Sequence, residues 1–382
     1  MNIIAFFYSY AEPGYGNSDL VNLFEELRKK HLIHFFSLSK GNNKDNLIYH
    51  AIPSFGFRLN PFLSGFSHML GTLIMARRIP KIHADFIIAD SVIFTLLPSY
   101  ILSKIYRIPM MVYCRELIPE NPSREKTALN KLKDIVAKLL NYIRNSIMNK
   151  PKLVVAMDEG LMRYFQEKTG KQVYLVPSST DLSLEYKDIR NELGLPADKT
   201  LVLYTGSYHT FRGLDLLIES FSKIKKDDVR LVFGGWKDDK DILFINDLIK
   251  KFDIEKYVIS LPSLPYDKVP SLIYSCDICV EPRNKTGLQE FQLSLKLLDY
   301  FSVGKPSVAI NASGNRILIK DGYNGLLSKY DAEDFAEKLI LLLNNPDLRH
   351  ELGKNARKTA IEKYDSRIVA TEFENLVRTK LL

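Results

Sequence analysis

The chain has 382 residues, of which 46% are hydrophobic and 26% charged, with a formal net charge of +8. This length exceeds what one hydrophobic core usually supports, so it predicts two domains. The composition is that of a globular protein and excludes an intrinsically disordered chain. Only three cysteines occur, which argues against a disulfide framework and for a reducing compartment.

The first half alternates short apolar runs with longer amphipathic segments, the pattern of helices that cover a parallel sheet. It begins with MNIIAFFYSYAEPG, which has no basic segment before its apolar run and therefore predicts a β-strand instead of a signal peptide. The longest apolar run, SVIFTLLPSYIL, is too short to span a bilayer. The predicted strands of this half are NIIAFFYSY, HFFSLS, FIIAD, MMVYC, LVVAMD and VYLVP.

A glycine-containing turn, EPGYGNSD, follows the first predicted strand and places Gly14 and Gly16 before a helix. It is not the dinucleotide-binding fingerprint, because the third glycine of G-x-G-x-x-G would fall at Asp19. We interpret it as a flexible turn that lets a substrate approach the backbone, with a plain turn as the alternative.

The segment DLSLEYKDIRNELGLPADKT, residues 181–200, is charged and has no clear apolar face, so it is the best candidate for an interdomain linker. The second half then repeats the α/β pattern and ends in a long helix. Its predicted strands are LVLYTG, VRLVFGG, YVISLP, ICVEP and PSVAI. The predicted fold class is α/β, with two similar doubly wound parallel-sheet lobes in tandem.

The second half opens with YTGSYHTFRGLDLLIESF, which predicts a strand, a loop from Gly206 to Gly213 and a helix. Such a junction can offer backbone N–H groups to an anion, and Arg212 could add a bidentate phosphate contact. A solvated loop is the alternative. Of the seven histidines, only His209 inside this loop is placed to meet a ligand.

A lysine occupies an unfavourable position in SLKLLDYFSVGKPSVA, residues 294–309. The segment predicts a helix with Ser294 as N-cap and a stop at Gly304, followed by a buried strand. Lys296 then lies in the first turn, where exposed N–H groups already carry partial positive charge. A phosphate bound there would turn two repelling groups into one pocket. The alternative is a surface lysine without a role.

Three segments, in this order, resemble the C-terminal domain of the GT4-type, GT-B-fold retaining glycosyltransferases, the glycosyl transferases group 1 family. They are YTGSYHTFRGLDLLIESF, LPSLPYDKVPSLIYSCDICVEPRN and SLKLLDYFSVGKPSVAI, followed by DGYNG at 321–325. The segments VVAMDEGLMRYF and VYLVPSSTD are similar to the end of that family's N-terminal domain. The resemblance covers nearly the whole chain and is most specific from Leu201 to Arg357.

This resemblance implies two Rossmann-like domains that face a cleft. Residues 1–181 would form the acceptor domain, 182–200 the linker and 201–365 the donor domain, with a C-terminal helix, 366–382, packing back on the first. It implies hexosyl transfer, with retention and without a metal or another cofactor, from a UDP- or GDP-linked sugar. The implied acceptor is a glycan or a lipid-linked molecule, the implied compartment is the cytoplasm, and no nucleic acid partner is implied.

Carried over by position, Arg212 matches the basic residue on the donor diphosphate, and Asp299 matches the carboxylate on the nucleotide ribose. Glu290 lies near the acidic residue that contacts the donor sugar, but the family's E-x7-E spacing would place that residue at Phe291. Ser207 stands where the family often has an arginine. The chain instead fits a variant with a Ser-x-Lys-x-x-Asp/Glu helix start, in which Lys296 and the helix N-terminus supply the missing positive charge. The donor site predicted in this way comprises Gly206, Ser207, His209, Arg212, Glu290, Ser294, Leu295, Lys296 and Asp299.

On the acceptor side, MMVYCRELIPENPS resembles a segment that lines the acceptor cleft in some members of the family. Glu116 is the candidate for orienting or deprotonating the acceptor hydroxyl, with Arg115 beside it, and an ordinary surface ion pair is the alternative. Gly14 and Gly16 belong to the same predicted acceptor side.

Two other functions compete with sugar transfer. A nucleotide-sugar 2-epimerase shares two facing lobes, but the GKP strand and the DGYNG segment fit a transferase better. A non-catalytic protein that binds sugar nucleotides or a membrane surface would show changes such as Ser207 and the shifted Glu290.

Two short motifs have the form of metal-binding sites, but we expect neither of them to bind a metal ion. Asp239-Lys240-Asp241 has the D-x-D form but lies in a predicted charged loop, WKDDKD. Cys276 and Cys279 lie in a predicted strand, where residues three apart point to opposite faces.

The excess positive charge is confined to the first half. Residues 1–180 have 23 Lys and Arg against 14 Asp and Glu, a net charge of +9, whereas residues 181–382 have a net charge of −1. Several basic residues fall in two apolar segments, 55–81 and 131–152, which predicts amphipathic helices with a basic face. These would either cover the sheet with their lysines in water or rest on an anionic bilayer, on the inner face of the membrane.

Overall fold

The protein is described by a computed structural model over residues 1–7, 18–37, 42–53, 61–115, 128–208, 212–236, 239–285 and 290–382. The chain divides into two compact units, Met1–Ser178 with Ser366–Leu382, and Ser179–Asp365. The chain passes from the first unit to the second between Ser178 and Ser179, inside the segment PSSTD, residues 177–181. None of the helices in the described ranges is long and apolar enough to cross a bilayer.

The first unit contains a seven-stranded parallel sheet in the order β3-β2-β1-β4-β5-β6-β7. The strand order reverses at β1, which is the pattern of a doubly wound sheet with helices on both faces. The strands are β1 Asn2–Phe6, β2 Leu32–Ser37, β3 Leu47–Ala51, β4 Phe86–Asp90, β5 Met110–Cys114, β6 Leu153–Ala156 and β7 Tyr174–Leu175. The helices are α1 Ser18–Leu27, α2 Pro61–Ile74, α3 Ile93–Tyr106, α4 Ala128–Met148 and α5 Glu159–Thr169, with a 3₁₀ segment at Met75–Lys81.

The second unit contains a six-stranded parallel sheet in the order β10-β9-β8-β11-β12-β13. Its order reverses at β8, so the loops that follow β8 and β11 border a crevice at the carboxyl edge of the sheet. The strands are β8 Thr200–Thr205, β9 Val229–Trp236, β10 Val258–Pro262, β11 Ile278–Glu281, β12 Ser307–Ile310 and β13 Leu326–Ser328. The helices are α6 Leu214–Ser222, α7 Asp239–Lys251, α8 Val269–Tyr274, α9 Leu295–Ser302, α10 Ser313–Leu318, α11 Ala332–Asn344 and α12 Pro346–Lys363, with 3₁₀ turns at Glu255–Tyr257 and Tyr266–Lys268.

The predicted linker differs from the structure, because residues 182–200 pack on the second unit. Ile189 and Leu195 are buried in a core cluster of that unit. The Arg190 guanidinium donates to the Ser275 carbonyl at 2.7 Å and pairs with Asp277 at 3.0 Å. The sequence prediction missed the burial of Ile189 and Leu195, because the segment around them is mostly charged.

The last helix, α13 Ser366–Lys380, belongs to the first unit, where it packs against α1. Val369, Phe373 and Val377 of this helix are completely buried, whereas Ile368 is partly exposed. Glu374 lies 3.2 Å from the His31 ring just after α1. The apolar spacing of α13 therefore matches a real packing surface.

Adjacent leucines at the C-terminus allow a matched test of this packing. Leu381 is 1% exposed and Leu382 is 56% exposed. Leu381→Ala should lower the free energy of unfolding of the first unit by about 2 kcal/mol or more, because it leaves a cavity in the core. Leu382→Ala should change it by less than about 0.5 kcal/mol. Urea titrations of both full-length variants measure this, and equal effects would contradict the packing of α13.

Candidate active site

The junction between β8 and α6 begins with a glycine that the structure requires. Gly206 has φ +120°, and a Cβ atom there would lie 3.2 Å from Cδ of Lys296. Its N–H donates to the Gly234 carbonyl at 2.9 Å, and the Tyr204 hydroxyl donates to the Ser207 carbonyl at 2.9 Å. A side chain at position 206 would therefore displace the lysine that the sequence singled out.

Lys296 lies in the first turn of α9, as predicted, and its ammonium group meets a carboxylate. The Lys296 Nζ is 3.0 Å from Oε2 of Glu281, the last residue of β11. The ammonium also lies 5.6 Å from the centre of the Tyr204 ring. Ser294 occupies the N-cap position but does not cap the helix through its side chain, contrary to the expectation. The positive charge at this helix end is therefore partly balanced by the protein itself.

A second cation, Arg283, contacts the same carboxylate. Its Nε is 3.4 Å from Oε1 of Glu281, and its Nη1 donates to the Gln292 carbonyl at 2.7 Å. Gly213, with φ +72°, brings the start of α6 against the Arg283 backbone, where a Cβ atom would lie 2.6 Å from the carbonyl carbon. The loop after β8 and the loop after β11 are thus held in direct contact.

Arg212 completes a group of three cations around one anion. Its Nε donates to the Ser207 hydroxyl at 3.4 Å. Its charge also acts on the ammonium of Lys296, since it lowers the pKa of that group. Glu281 neutralises one of the three positive charges of Arg212, Arg283 and Lys296. We call these four residues the cationic cluster, and its three basic side chains beside a glycine loop and a helix N-terminus suit an anion such as a diphosphate.

Burial determines the protonation of the cluster. It lowers the pKa of Lys296 to about 8, although the charge of Glu281 opposes this shift, and Arg212 and Arg283 lower it further. Burial also opposes ionisation of Glu281, but Lys296 and Arg283 outweigh it and lower the pKa of that carboxyl group. At neutral pH the carboxylate is therefore charged, and the ammonium is close to its titration range.

Tyr300, in the middle of α9, holds the elements of the cluster in place. Its buried hydroxyl accepts from the Thr205 N–H at 3.1 Å and lies 3.0 Å from the Thr205 hydroxyl. It also donates to the Val280 carbonyl at 3.4 Å. One side chain thus ties α9 to the carboxyl ends of β8 and β11, on which the glycine loop and Glu281 are carried.

Asp299 and Leu295 lie on α9, as predicted. Asp299 comes three residues after Lys296, so the two side chains share a face of the helix, and it is half-buried. Leu295 packs against the core beneath α9.

Glu290 is engaged elsewhere. Its carboxylate accepts from the Ser313 N–H at 3.1 Å and from the Ser313 hydroxyl at 3.2 Å, and the Tyr330 hydroxyl also donates to it. Burial opposes its ionisation, but these hydrogen bonds outweigh burial and lower its pKa. The structure therefore brings together Gly206, Ser207, Arg212 and Lys296, and holds Glu290 on Ser313 and Tyr330.

Four predicted residues, Gly14, Gly16, Glu116 and His209, lie outside the described residues. Arg115 is described and lies just after β5 in the first unit, where it is buried. Nothing in the described part of the chain tests their predicted contacts with an acceptor or donor.

The two metal-like motifs differ in structure from the predictions. Asp239 and Asp241 begin helix α7 and do not lie in a loop. Cys276 precedes β11, and both it and Cys279 are buried in the same core cluster. Burial raises the pKa of the Cys276 thiol to about 12 and that of Cys279 well above its ordinary value, so both stay protonated. Within the described ranges, no group of three or more His, Cys, Asp or Glu is placed to hold a metal ion.

Comparison with known proteins gives the family. Residues 185–359, which include the whole cationic cluster, match the model of the family described as glycosyl transferases group 1. Residues 185–359 belong to this family. The family resemblance recognised in the sequence is confirmed for these residues.

Curated proteins similar to this chain bear the names of different enzymes. N-acetyl-alpha-D-glucosaminyl L-malate synthase of Bacillus anthracis is 23% identical over 246 residues, 62% of each chain. Alpha-D-kanosaminyltransferase of Streptomyces kanamyceticus is 22% identical over 293 residues, 73% of this chain and 72% of that protein. An uncharacterised glycosyltransferase of Methanocaldococcus jannaschii is 28% identical over 162 residues, 43% of its length. The chain thus aligns with between 43% and 72% of the length of these three relatives.

Solved structures establish the fold of the whole chain. Anabaena Alr3699/HepE in complex with UDP matches with a TM-score of 0.79 at 16% identity, covering 99% of this chain and 100% of that one. Sucrose-phosphate synthase from Thermosynechococcus elongatus matches with a TM-score of 0.82 at 18% identity, covering 99% of each. The chain has the GT-B fold, with two Rossmann-like parallel-sheet domains, as predicted.

Sequence reasoning missed Glu281, Arg283 and Tyr300. A signal for the first was available, because β11 is a buried strand of a parallel sheet, and such strands are usually apolar throughout. A buried glutamate at the end of the strand ICVE needs a cation as its partner. Which lysine or arginine lies close to it could not be identified without the order of the strands in the sheet.

Proposed function

We propose that the protein transfers a hexosyl group from a nucleotide-diphosphate sugar to a glycan or lipid-linked acceptor, with retention and without a metal ion. The observation that carries the proposal is the cationic cluster, which gathers three basic side chains at a glycine loop and a helix N-terminus. The structural relative Alr3699/HepE is described in complex with UDP, with UDP-glucose, and with UDP and glucose. This favours a UDP-linked donor over a GDP-linked one.

In the proposed reaction, the cluster stabilises the leaving group. Breaking the glycosidic bond places negative charge on the nucleoside diphosphate, and cations that are already fixed there stabilise this charge in the transition state. Lys296 and Arg212 face the diphosphate in this proposal. Glu281 acts as a positioning residue, because its buried carboxylate contacts both Lys296 and Arg283. Arg283 in turn helps to hold that carboxylate in place.

Asp299 is proposed to accept hydrogen bonds from the ribose hydroxyls, since it shares the α9 face with Lys296. Glu290 was proposed to contact the donor sugar. The hydrogen bonds from Ser313 and Tyr330 make it a positioning residue in this proposal, one that fixes the chain before α9. Glu116 remains the proposed group for orienting or deprotonating the acceptor hydroxyl.

Turnover of a mixture of nucleotide sugars tests the proposal. A thermal-shift screen first identifies the nucleotide that stabilises the protein. Incubation of that nucleotide sugar with glycan and lipid-linked acceptors should then release free nucleoside diphosphate and yield a product that keeps the donor's anomeric configuration by NMR. Stabilisation by a nucleotide sugar without release of diphosphate would favour the non-catalytic alternative. Change of the sugar at C2 without an acceptor would favour the epimerase.

Activity is expected to be retained fully in excess EDTA, because fixed cations and the α9 N-terminus do the work of a divalent ion. Release of nucleoside diphosphate, measured with and without EDTA, checks this. Loss of activity that Mg²⁺ or Mn²⁺ restores would contradict it and would make Asp239 and Asp241 the first residues to replace.

We place the reaction in the cytoplasm, with peripheral binding at the inner face of the membrane. The three cysteines are free and buried, as suits a reducing compartment.

A further inference from the structure

Three helices of the first unit form an exposed apolar face. Helix α2 packs against α3, and α3 packs against α4. The three helices contain 49 of the 382 residues. Even so, they carry eight of the 17 exposed large hydrophobic side chains among the described residues. Such a concentration on neighbouring helices marks an interaction surface and is more than the scattered exposure of ordinary proteins.

The exposed side chains follow helical spacing on each helix, so they line its outer side. On α4 they are Ile135, Leu139 and Tyr142, of which Ile135 is 63% exposed and Tyr142 is 74% exposed. On α3 they are Ile101 and Ile105. Spacings of three and four residues place each set on one side of its helix.

Helix α2 extends this face with Phe66, Leu70 and Ile74, which recur every four residues. We call the exposed side chains of α2, α3 and α4 the apolar face. It is wider than the sequence predicted, because the basic apolar segments 55–81 and 131–152 did not include α3.

The segments that carry the apolar face are rich in basic residues and nearly free of acidic ones. Segments 61–81, 93–108 and 128–152 contain three, two and six Lys and Arg residues, and Asp134 is their one acidic residue. Lys104 on α3 and Lys138 on α4 are exposed next to the apolar side chains. Two copies that met through this face would bring exposed cations of both copies, such as Lys104 and Lys138, against each other, so a second copy is a poor occupant.

We propose that the apolar face binds the surface of an anionic phospholipid bilayer. The apolar side chains would enter the boundary between headgroups and acyl chains, and the lysines and arginines around them would pair with anionic headgroups. Tyr142, with an apolar ring and a polar hydroxyl, suits this boundary. The inference deepens the proposed location of the reaction by naming the surface and the lipid charge. It rests on the proposed function only in one respect: a lipid-linked acceptor would lie in the membrane that this face binds.

Co-sedimentation of the full-length protein with vesicles tests the proposal without any nucleotide sugar. Vesicles of phosphatidylcholine alone are compared with vesicles that contain increasing fractions of phosphatidylglycerol, at low and high salt. Binding should increase with the anionic fraction and decrease with salt. Equal binding to neutral and anionic vesicles, or no binding to either, would overturn the proposal.

Paired variants separate the apolar and basic contributions. Ile135→Gln with Leu139→Gln and Tyr142→Gln should weaken binding at least about tenfold. Leu243→Gln with Leu341→Gln, exposed leucines of the second unit, should leave it unchanged. Lys104→Gln and Lys138→Gln should each weaken binding about fivefold, as about 1 kcal/mol per basic residue implies. Lys250→Gln and Lys354→Gln are their controls.

Sedimentation velocity of the wild type and the triple glutamine variant completes the test. Self-association that the triple variant abolishes would assign the face to a second copy and overturn the proposal. Release of nucleoside diphosphate from a soluble nucleotide sugar is measured separately. Turnover without vesicle binding would remove only this inference, and vesicle binding without turnover would remove only the proposed function.

Discussion

Replacing Lys296 with alanine is expected to weaken binding of a nucleoside diphosphate at least about thirtyfold. Removing one partner of a buried, hydrogen-bonded charge pair commonly costs about 2 to 5 kcal/mol, and about 2 kcal/mol corresponds to a factor of about thirty. The lower end applies because Glu281 already shares the charge of Lys296. Arg212→Ala should act in the same direction, and well over tenfold. Isothermal titration with UDP and GDP measures both.

Two matched variants show whether charge is the cause. Lys296→Met keeps the apolar stem over Gly206 and the Tyr204 ring, so it should lose affinity as alanine does. Lys320→Ala, an exposed lysine of the same unit, should bind like the wild type. A Lys296 variant that bound diphosphate as well as the wild type would refute the shared pocket of lysine and helix N-terminus.

The pH dependence of binding gives an independent readout of the same lysine. Because the pKa of Lys296 is about 8 in the free protein, affinity should fall as the ammonium loses its proton around and above pH 8. A bound diphosphate raises this pKa, so the fall ends at a higher pH. Above about pH 7 the phosphate groups themselves no longer titrate. Lys296→Met should lack this fall.

The same pKa has a consequence for stability. An ordinary lysine titrates near 10.5, so between about pH 8 and 10.5 the unfolded chain binds more protons at this position than the folded protein does. The stability contributed by this group therefore rises with pH in that window. At neutral pH the charged, buried ammonium costs stability, and a bound anion would recover part of that cost.

Much of the fold was readable from the sequence, because buried parallel strands are continuous apolar runs. The strands that sequence reasoning missed are β3 and β13. β3, LIYHA, lies at the edge of its sheet and is mostly half-buried, and β13 has only three residues. Their patterns differ little from those of loops. The order of strands within each sheet also depends on packing between distant segments.

The site was predictable only in part, for a related reason. The glycine loop and the start of α9 are local features with local signals, so Gly206, Arg212 and Lys296 could be found. Glu281 and Tyr300 act through contacts between residues far apart in the sequence, which only the sheet order creates. The unfavourable position of Lys296 in the first turn of a helix was the local sign that a buried anion such as Glu281 lies nearby.

Glu281→Gln is expected to destabilise the second unit by about 3 to 5 kcal/mol. Glu281 is 1% exposed, and its carboxylate faces Lys296 at 3.0 Å and Arg283 at 3.4 Å, so its neutralisation removes the counter-charge that both cations share. Breaking a buried pair in this way is far more costly than removing an exposed one. Glu333→Gln, which breaks the exposed pair with Lys223, should cost less than about 1 kcal/mol. Urea unfolding of the full-length variants measures the difference.

A diphosphate should rescue the Glu281→Gln variant, and this outcome separates a binding role from a merely structural one. If the cationic cluster is built for an anion, UDP can replace the missing carboxylate, so it should raise the melting temperature of the variant more than that of the wild type. Raising the pH should also reduce the defect, because without Glu281 the pKa of Lys296 falls further and the ammonium gives up its proton more readily. Equal stabilisation of variant and wild type by UDP would mean that Glu281 only fills a structural place and that the diphosphate binds elsewhere.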